Sequence, residues 1–207
     1  MEIPFSTALP DANLRSEPLV IDPSDHELMI AVRAGDVARL GELFERHHRA
    51  LFGFFARLTS DPTTAEDLVQ LVFYRILKYR HTYRDEGKFS AWLYHLARKV
   101  LADHYRRRGV TFAPTDPADF HSVPDGSTPA ADEQAARADE VALLRDALAH
   151  LPLDQREILV LHRFQHLQHD EIARLLNISV GATKVRVHRA LSALRETFFK
   201  LRRHSLN

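Results

Sequence analysis

From Val187 onward the chain places apolar residues at Leu191, Leu194, Phe198 and Leu201, in steps of 4, 3, 4 and 3. Only an α-helix gathers that spacing into one stripe, so this end of the chain must fold with other helices covering it. Just upstream, Ile172, Leu175 and Leu176 form a shorter apolar edge at helical spacing. Asn177 tolerates the left-handed backbone that ends helices, and Ser179 is placed to N-cap the helix that follows. The stretch from Gln168 to Arg203 therefore predicts a short helix, a tight turn and a longer basic helix. Off the stripe, near the start of the second helix, stand Ser179, Thr183, Lys184, Arg186 and Arg189. Hydroxyl, ammonium and guanidinium groups in that layout suit a helix-turn-helix reading the major groove of DNA. A helical hairpin with a solvated basic face would satisfy the same spacing, so the remaining chain must decide.

Charge along the chain narrows the choice. The 207 residues carry 28 Lys+Arg against 28 Asp+Glu, a balance that looks wrong for a nucleic-acid binder. The balance is an average over unlike segments. Residues 1–24 carry net −3, residues 25–108 net +4, residues 109–140 net −6 and residues 141–207 net +5. Two basic blocks are thus separated by an acidic connector. Zero cysteines exclude disulfides and thiolate metal sites and fit a reducing compartment. Neither a secretory signal nor a run of about 20 apolar residues is evident, so the expected location is the cytoplasm.

Residues 1–23 hold Pro4, Pro10, Pro18 and Pro23 without periodicity and are expected to be a disordered tail. Ser24 and Glu27 fit a capping box that opens the first helix, which Gly35 ends. A second helix is expected over 36–58, its face built of Val37, Leu40, Phe44, Leu51, Phe55 and Leu58. Asp61 and Pro62 start a third, with Ala65, Leu68, Val72, Ile76 and Tyr79 inward. A fourth, over 89–108, buries Trp92 or Leu93, Leu96, Val100 and Leu101 and ends in three arginines. Residues 109–139 read as a flexible acidic linker, rich in proline and polar residues. The block 140–207 adds a helix with Val141, Leu144, Leu148 and Leu151, then one that Asp154 and Glu157 would cap. No strand-like alternation is present. The expected fold is all-α, two small helical bundles (24–108 and 140–207) joined by the linker.

Three motifs then resemble one family in order. Thr64-Ala-Glu-Asp-Leu-Val-Gln-Leu-Val-Phe73 resembles region 2.2 of the extracytoplasmic-function sigma factors, the small promoter-recognition subunits of bacterial RNA polymerase. Phe89-Ser-Ala-Trp-Leu-Tyr-His-Leu-Ala-Arg98, continuing to Asp103 and Arg106-Arg-Arg108, resembles regions 2.3 and 2.4. Leu151-Pro-Leu-Asp-Gln-Arg-Glu-Ile-Leu159, Asp170-Glu-Ile-Ala173 and Gly181-Ala-Thr-Lys-Val-Arg-Val-His-Arg189 resemble region 4. Leu71, Lys99 and the run Ala182-Thr-Lys-Val185 depart from the usual family residues.

The resemblance implies a non-enzymatic subunit that binds core polymerase and recognises −10 and −35 promoter elements, with an anti-sigma factor as a further partner. It implies no cofactor and no small-molecule substrate. On the region 2.2 helix, Asp67, Gln70, Tyr74 and Arg75 would meet the clamp helices of the largest polymerase subunit. Around the −10 element, Tyr83, Lys88 and Phe89 would help hold an unstacked base, with Lys99, Asp103, Arg106, Arg107 and Arg108 along the fourth helix. Ser179, Thr183, Lys184, Arg186 and Arg189 would meet the −35 element. An autonomous helix-turn-helix regulator, with the first bundle sensing or dimerising, is the alternative. A helical metal sensor is a third: His162, His166 and His169 have suggestive spacing, but the turn expected between them would scatter them.

The acidic linker lies between two basic bundles and can rest against either within a Debye length of about 8 Å. Replacing Asp116, Asp119, Asp125, Asp132 and Glu133 with amides should strengthen DNA binding by the free protein and lengthen the interdomain distance at low salt. Titration with promoter duplex and small-angle scattering check this, and no change in either would make the linker a passive spacer.

Overall fold

The computed structural model describes residues 22–84, 88–109 and 131–205, with the backbone alone described for 131–138 and Ser205. Eight α-helices order these residues: α1 (Asp25–Ala34), α2 (Arg39–Thr59), α3 (Pro62–Tyr79), α4 (Phe89–Arg107), α5 (Ala131–Ala149), α6 (Leu153–Leu159), α7 (His169–Leu176) and α8 (Val180–Ser205). A 3₁₀ turn follows α3 and a π-helical turn, Val160–Phe164, extends α6. No strand occurs among the described residues.

Local chemistry sets most helix ends. The Ser24 side chain accepts from Glu27 N–H while the Glu27 carboxylate accepts from Ser24 N–H, and Gly35 closes α1 at φ 114°. Asp61 caps α3 with Pro62 in the first turn. Asn177 ends α7 in the left-handed region at φ 54°. The Ser179 hydroxyl accepts from Ala182 N–H at 3.1 Å, opening α8.

Packing then builds two bundles. In the first, α2 lies on α3 and α1, with α3 against α4. Leu51, Phe54, Phe55, Val72, Ile76, Leu93 and Val100 fill its centre. In the second, α5, α6 and α7 all pack on α8, around Leu148, Ile158, Leu159, Ile172 and Val187. The bundles also touch: α2 meets α5 and α6, α4 meets α7, and the buried apolar residues of both join in one cluster.

Three expectations change. Helix α5 begins at Ala131, so residues 131–139, expected in the linker, are helical. The Ala-rich run Ala130–Ala138 has high helix propensity and needs no apolar stripe to start a helix. Residues 1–21 and 110–130, which hold the rest of the expected tail and linker, lie outside the described residues. Helix α6 starts at Leu153 after Pro152, with no side-chain cap, which puts Asp154 inside the first turn. Glu157, expected in that capping arrangement, is buried and faces the other bundle. Finally, Val37, Tyr79, Val141 and Leu144, expected on buried stripes, are exposed. Val37, Tyr79 and Val141 are end members of their stripes, whereas Leu144 lies within its own.

Candidate nucleic-acid interface

The second bundle presents the first half of α8 to solvent. Lys184, Arg186 and Arg189 are exposed on one side of the helix, while Val187 and Ala190 are buried on the other. Thr183 does not belong to the open face. It is 0% exposed, and its hydroxyl donates to Ser179 O at 3.1 Å. Position 183 is one turn before Val187 and therefore extends the buried stripe. A β-branched threonine fits there because its hydroxyl can return to the carbonyl four residues back. In its place the open face gains Val185, 50% exposed between Lys184 and Arg186. An apolar side chain among cations in a major groove can touch a thymine methyl. A valine off the stripe was the sequence signal for it.

In the first bundle, aromatic residues gather before α4. Tyr83 and Phe89, expected to hold a base, are 2% and 3% exposed and serve the core. The Tyr83 hydroxyl lies 2.8 Å from His26 Nδ1, and its ring meets Trp92 edge-on at 5.1 Å. Phe89 packs on the His47 ring at 5.1 Å, and His47 is held by Asp25 at 2.7 Å. Trp92 is only partly buried, and it lines a cleft of about 310 Å³ with Lys88, His95, Glu171 and Arg174. The aromatic surface available here is therefore Trp92. Burial, with Lys99 and Arg98 adding to it, lowers the His95 pKa, so His95 tends to be neutral there.

Cations continue along α4. Lys99, Arg106, Arg107 and Arg108 are exposed. Asp103 stands among them as an anchor. It accepts from Arg75 at 2.6 Å and also pairs with Arg106. Arg75, expected on the polymerase face, is thus directed from α3 toward α4, while Asp67, Gln70 and Tyr74 remain exposed together at steps of 3 and 4. Tyr74 is 59% exposed, a large aromatic surface for a folded chain, and Lys78 is exposed one turn further on.

The histidines of the second bundle behave otherwise than expected. The turn brings His162 and His169 together, their ring centroids 4.6 Å apart, with His166 at φ 53°. Among the described residues no three potential ligands cluster into a metal site.

A basic, exposed recognition helix on a helix-turn-helix, joined to a second basic helical bundle, defines a DNA-binding protein of two modules. Family comparison makes the class specific. Residues 43–111 match the family model for sigma-70 region 2, and residues 142–194 match that for sigma-70 region 4. The sigma factor CarQ of Myxococcus xanthus is 34% identical over 164 residues, covering 77% of this chain and 89% of CarQ. The extracytoplasmic-function sigma factor SigL of Mycobacterium tuberculosis is 32% identical over 170 residues, covering 81% and 93%. Among solved structures, the sigma factor RpoE bound to the anti-sigma factor NepR from Bartonella quintana superposes with a TM-score of 0.58 at 25% identity, covering 76% of this chain and 94% of RpoE. CnrH in complex with the cytosolic domain of CnrY shares the fold, with a TM-score of 0.63 at 24% identity, covering 83% and 95%. The chain belongs to the extracytoplasmic-function sigma factors, which bind core RNA polymerase and promoter DNA and direct transcription initiation. The alternative of an autonomous regulator is not favoured. No helix among the described residues is long and apolar enough to cross a membrane.

The Arg75–Asp103 pair makes a pH prediction. The hydrogen bond from Arg75, aided by the charges of Arg75, Arg106 and Arg107, holds the Asp103 carboxyl below its ordinary value. A depressed carboxyl stabilises the fold above its unfolded value of about 3.9, and loses that contribution as pH falls through the lower folded value. The thermal midpoint of Asp103→Asn should therefore lie below that of the parent at neutral pH. The gap should close in acid, and a gap independent of pH would mean the pair is not ionic.

Proposed function

We propose that the sigma activity is divided among three surfaces of this chain, with residues 24–108 acting as region 2 and the bundle that begins with α5 as region 4. Ser179 opens the recognition helix, from which Arg186 reads a −35 base edge and Val185 adds apolar contact. Lys184 and Arg189 bind phosphates. Lys88, Lys99 and Arg106 to Arg108 hold the −10 strand, with Trp92 supplying a stacking surface. Asp67, Gln70 and Tyr74, joined by Lys78, dock on the polymerase clamp helices. An anti-sigma factor is expected as a regulator, since the relative RpoE was solved with one. The protein acts in the cytoplasm and catalyses no reaction of its own. The observation that carries the reading is the exposure of Lys184, Arg186 and Arg189 on a helix whose opposite side is buried.

In vitro transcription with core polymerase on a randomised promoter library tests it directly, and no selected −35 and −10 sequences would sink it. In the same assay Arg186→Ala should cost about 1–3 kcal/mol and relax preference at one base pair. Lys184→Ala and Arg189→Ala should weaken all sequences alike, and a uniform loss from Arg186→Ala would move it into that group.

Changing Asp67 and Gln70 together to Ala should weaken competition for core polymerase while the helical circular dichroism and melting stay those of the parent. Undiminished competition would show that the docking face lies elsewhere.

A further inference from the structure

The two histidines that meet between α6 and α7 have no part in the surfaces assigned so far. His162 lies in the π-helical turn and His169 is the first residue of α7, with ring centroids 4.6 Å apart and planes tilted by 46°. Both side chains are half-buried. His162 Nδ1 lies 3.3 Å from Leu167 O, a contact that only a protonated Nδ1 can make. The neutral His162 ring therefore keeps a bare Nε2. Two imidazoles without a third ligand do not make a metal centre, so another chemistry must use them.

The charges around the pair are cationic on balance. Burial first, and then His162 and Lys184 of α8, hold the His169 imidazole below its ordinary value, against a smaller opposite pull from Asp170. Asp170 itself is paired with Arg174 at 2.7 Å. Arg163 and His166 are exposed on the same turn. Neighbouring elements direct their charges elsewhere. Arg57 of α2 lies over the Phe164 ring, and Arg156 of α6 serves the carbonyls of Ala149 and Leu151. Glu157 of α6 meets Arg98 of α4, which also donates to Leu175 O, while Lys88 meets Glu171. The N-terminus of α7 is already closed, because the Glu171 carboxylate accepts from Gln168 N–H.

In a helix-turn-helix the second helix lies in the major groove while the first crosses the DNA backbone. His169 begins that first helix, and Lys184 stands exposed one turn after the start of the second. We propose that His162, His169 and Lys184 form a DNA-backbone site that takes one phosphate beside the −35 element. The inference rests on the reading of α8 as the −35 helix. Binding there is coupled to proton uptake, because the anion favours the charged ring and Nε2 of His162 must gain a hydrogen before it can donate. The imidazole thus holds its proton to higher pH in the complex than in the free protein. Affinity is greatest at pH below the free value and declines as pH rises through the value in the complex.

The test titrates holoenzyme, reconstituted with core polymerase, against a fluorescein-labelled duplex carrying the −35 sequence selected from the promoter library. Binding should tighten as pH falls from about 7.5 to 6, by up to about tenfold per pH unit for each proton taken up. His162→Gln with His169→Gln should flatten the profile at the weaker affinity. His162→Gln with His169→Lys supplies a fixed charge and should flatten it at the tighter one. In the parent, a neutral methylphosphonate replacing one backbone phosphate beside the −35 element should remove the pH dependence, and this arm holds even if the glutamine variant fails to fold. A flat parent profile overturns the proposal, as does a pH dependence that the folded glutamine variant keeps. Dependence that no single methylphosphonate removes shows the histidines acting on the fold rather than on a phosphate, and also overturns it. A library that yields no −35 sequence overturns instead the reading of α8.

Discussion

Helix α2 is buried on more than one side, and the arrangement of both bundles depends on that. Leu43, Leu51, Phe54, Phe55 and Leu58 are all essentially inaccessible on one broad stripe, and Ala56, off that stripe, is buried as well. A helix with a broad apolar surface must be enclosed rather than merely covered. Phe54 meets Phe55 edge-on at 5.3 Å and the ring of Tyr94 of α4 at 5.4 Å, and Leu58 O accepts from the Tyr105 hydroxyl of α4. Tyr94 then carries its hydroxyl across to Gln165 of the other bundle. Burial pushes that phenol well above its ordinary pKa, so it stays a donor at any physiological pH. Apolar enclosure of α2 and polar contact between bundles are thus consecutive links of one chain of contacts.

Two arginines solve the same problem at two helix ends. Arg156 is 5% exposed, and desolvation lowers its pKa without removing its charge from consideration. It donates to Ala149 O and Leu151 O, at the end of α5, where carbonyls would otherwise be unpaired. Arg98 does the same for Leu175 O at the end of α7. The first contact lies within a bundle and fixes how α5 meets α6. The second crosses between bundles and joins α4 to the end of α7.

What the sequence made legible follows from how local each signal is. The capping box at Ser24, the Asp61-Pro62 start, the αL residue Asn177 and the Ser179 cap all depend on neighbours within four residues, and all form as expected. The fold class and the order of helices follow from periodicity. The side chains misjudged were those whose partner is remote in sequence. Arg75 and Asp103 lie 28 residues apart, and Arg98 and Glu157 lie 59 apart, so spacing alone could assign each to a solvent face or a cap but not to the other. Tyr83 and Phe89 read as open aromatics because they flank a loop, yet α1 and His47 close over them. Thr183 was the avoidable error, since its position four residues before Val187 already placed it on the stripe.

The contact between bundles also resolves the puzzle of net charge. Segments of +4 and +5 repel at distances within about 8 Å at physiological salt, so their packing needs an explanation. It comes from where the charges sit rather than from their sum. Glu157 and Glu171 are buried at the face that meets Arg98 and Lys88, so attraction acts at 2.7 and 3.1 Å while the surplus cations of α8 point away. The Lys88 end is largely exposed and contributes little in water, whereas Arg98 is shielded and bidentate. Long-range repulsion and short-range attraction therefore oppose each other in the closed form.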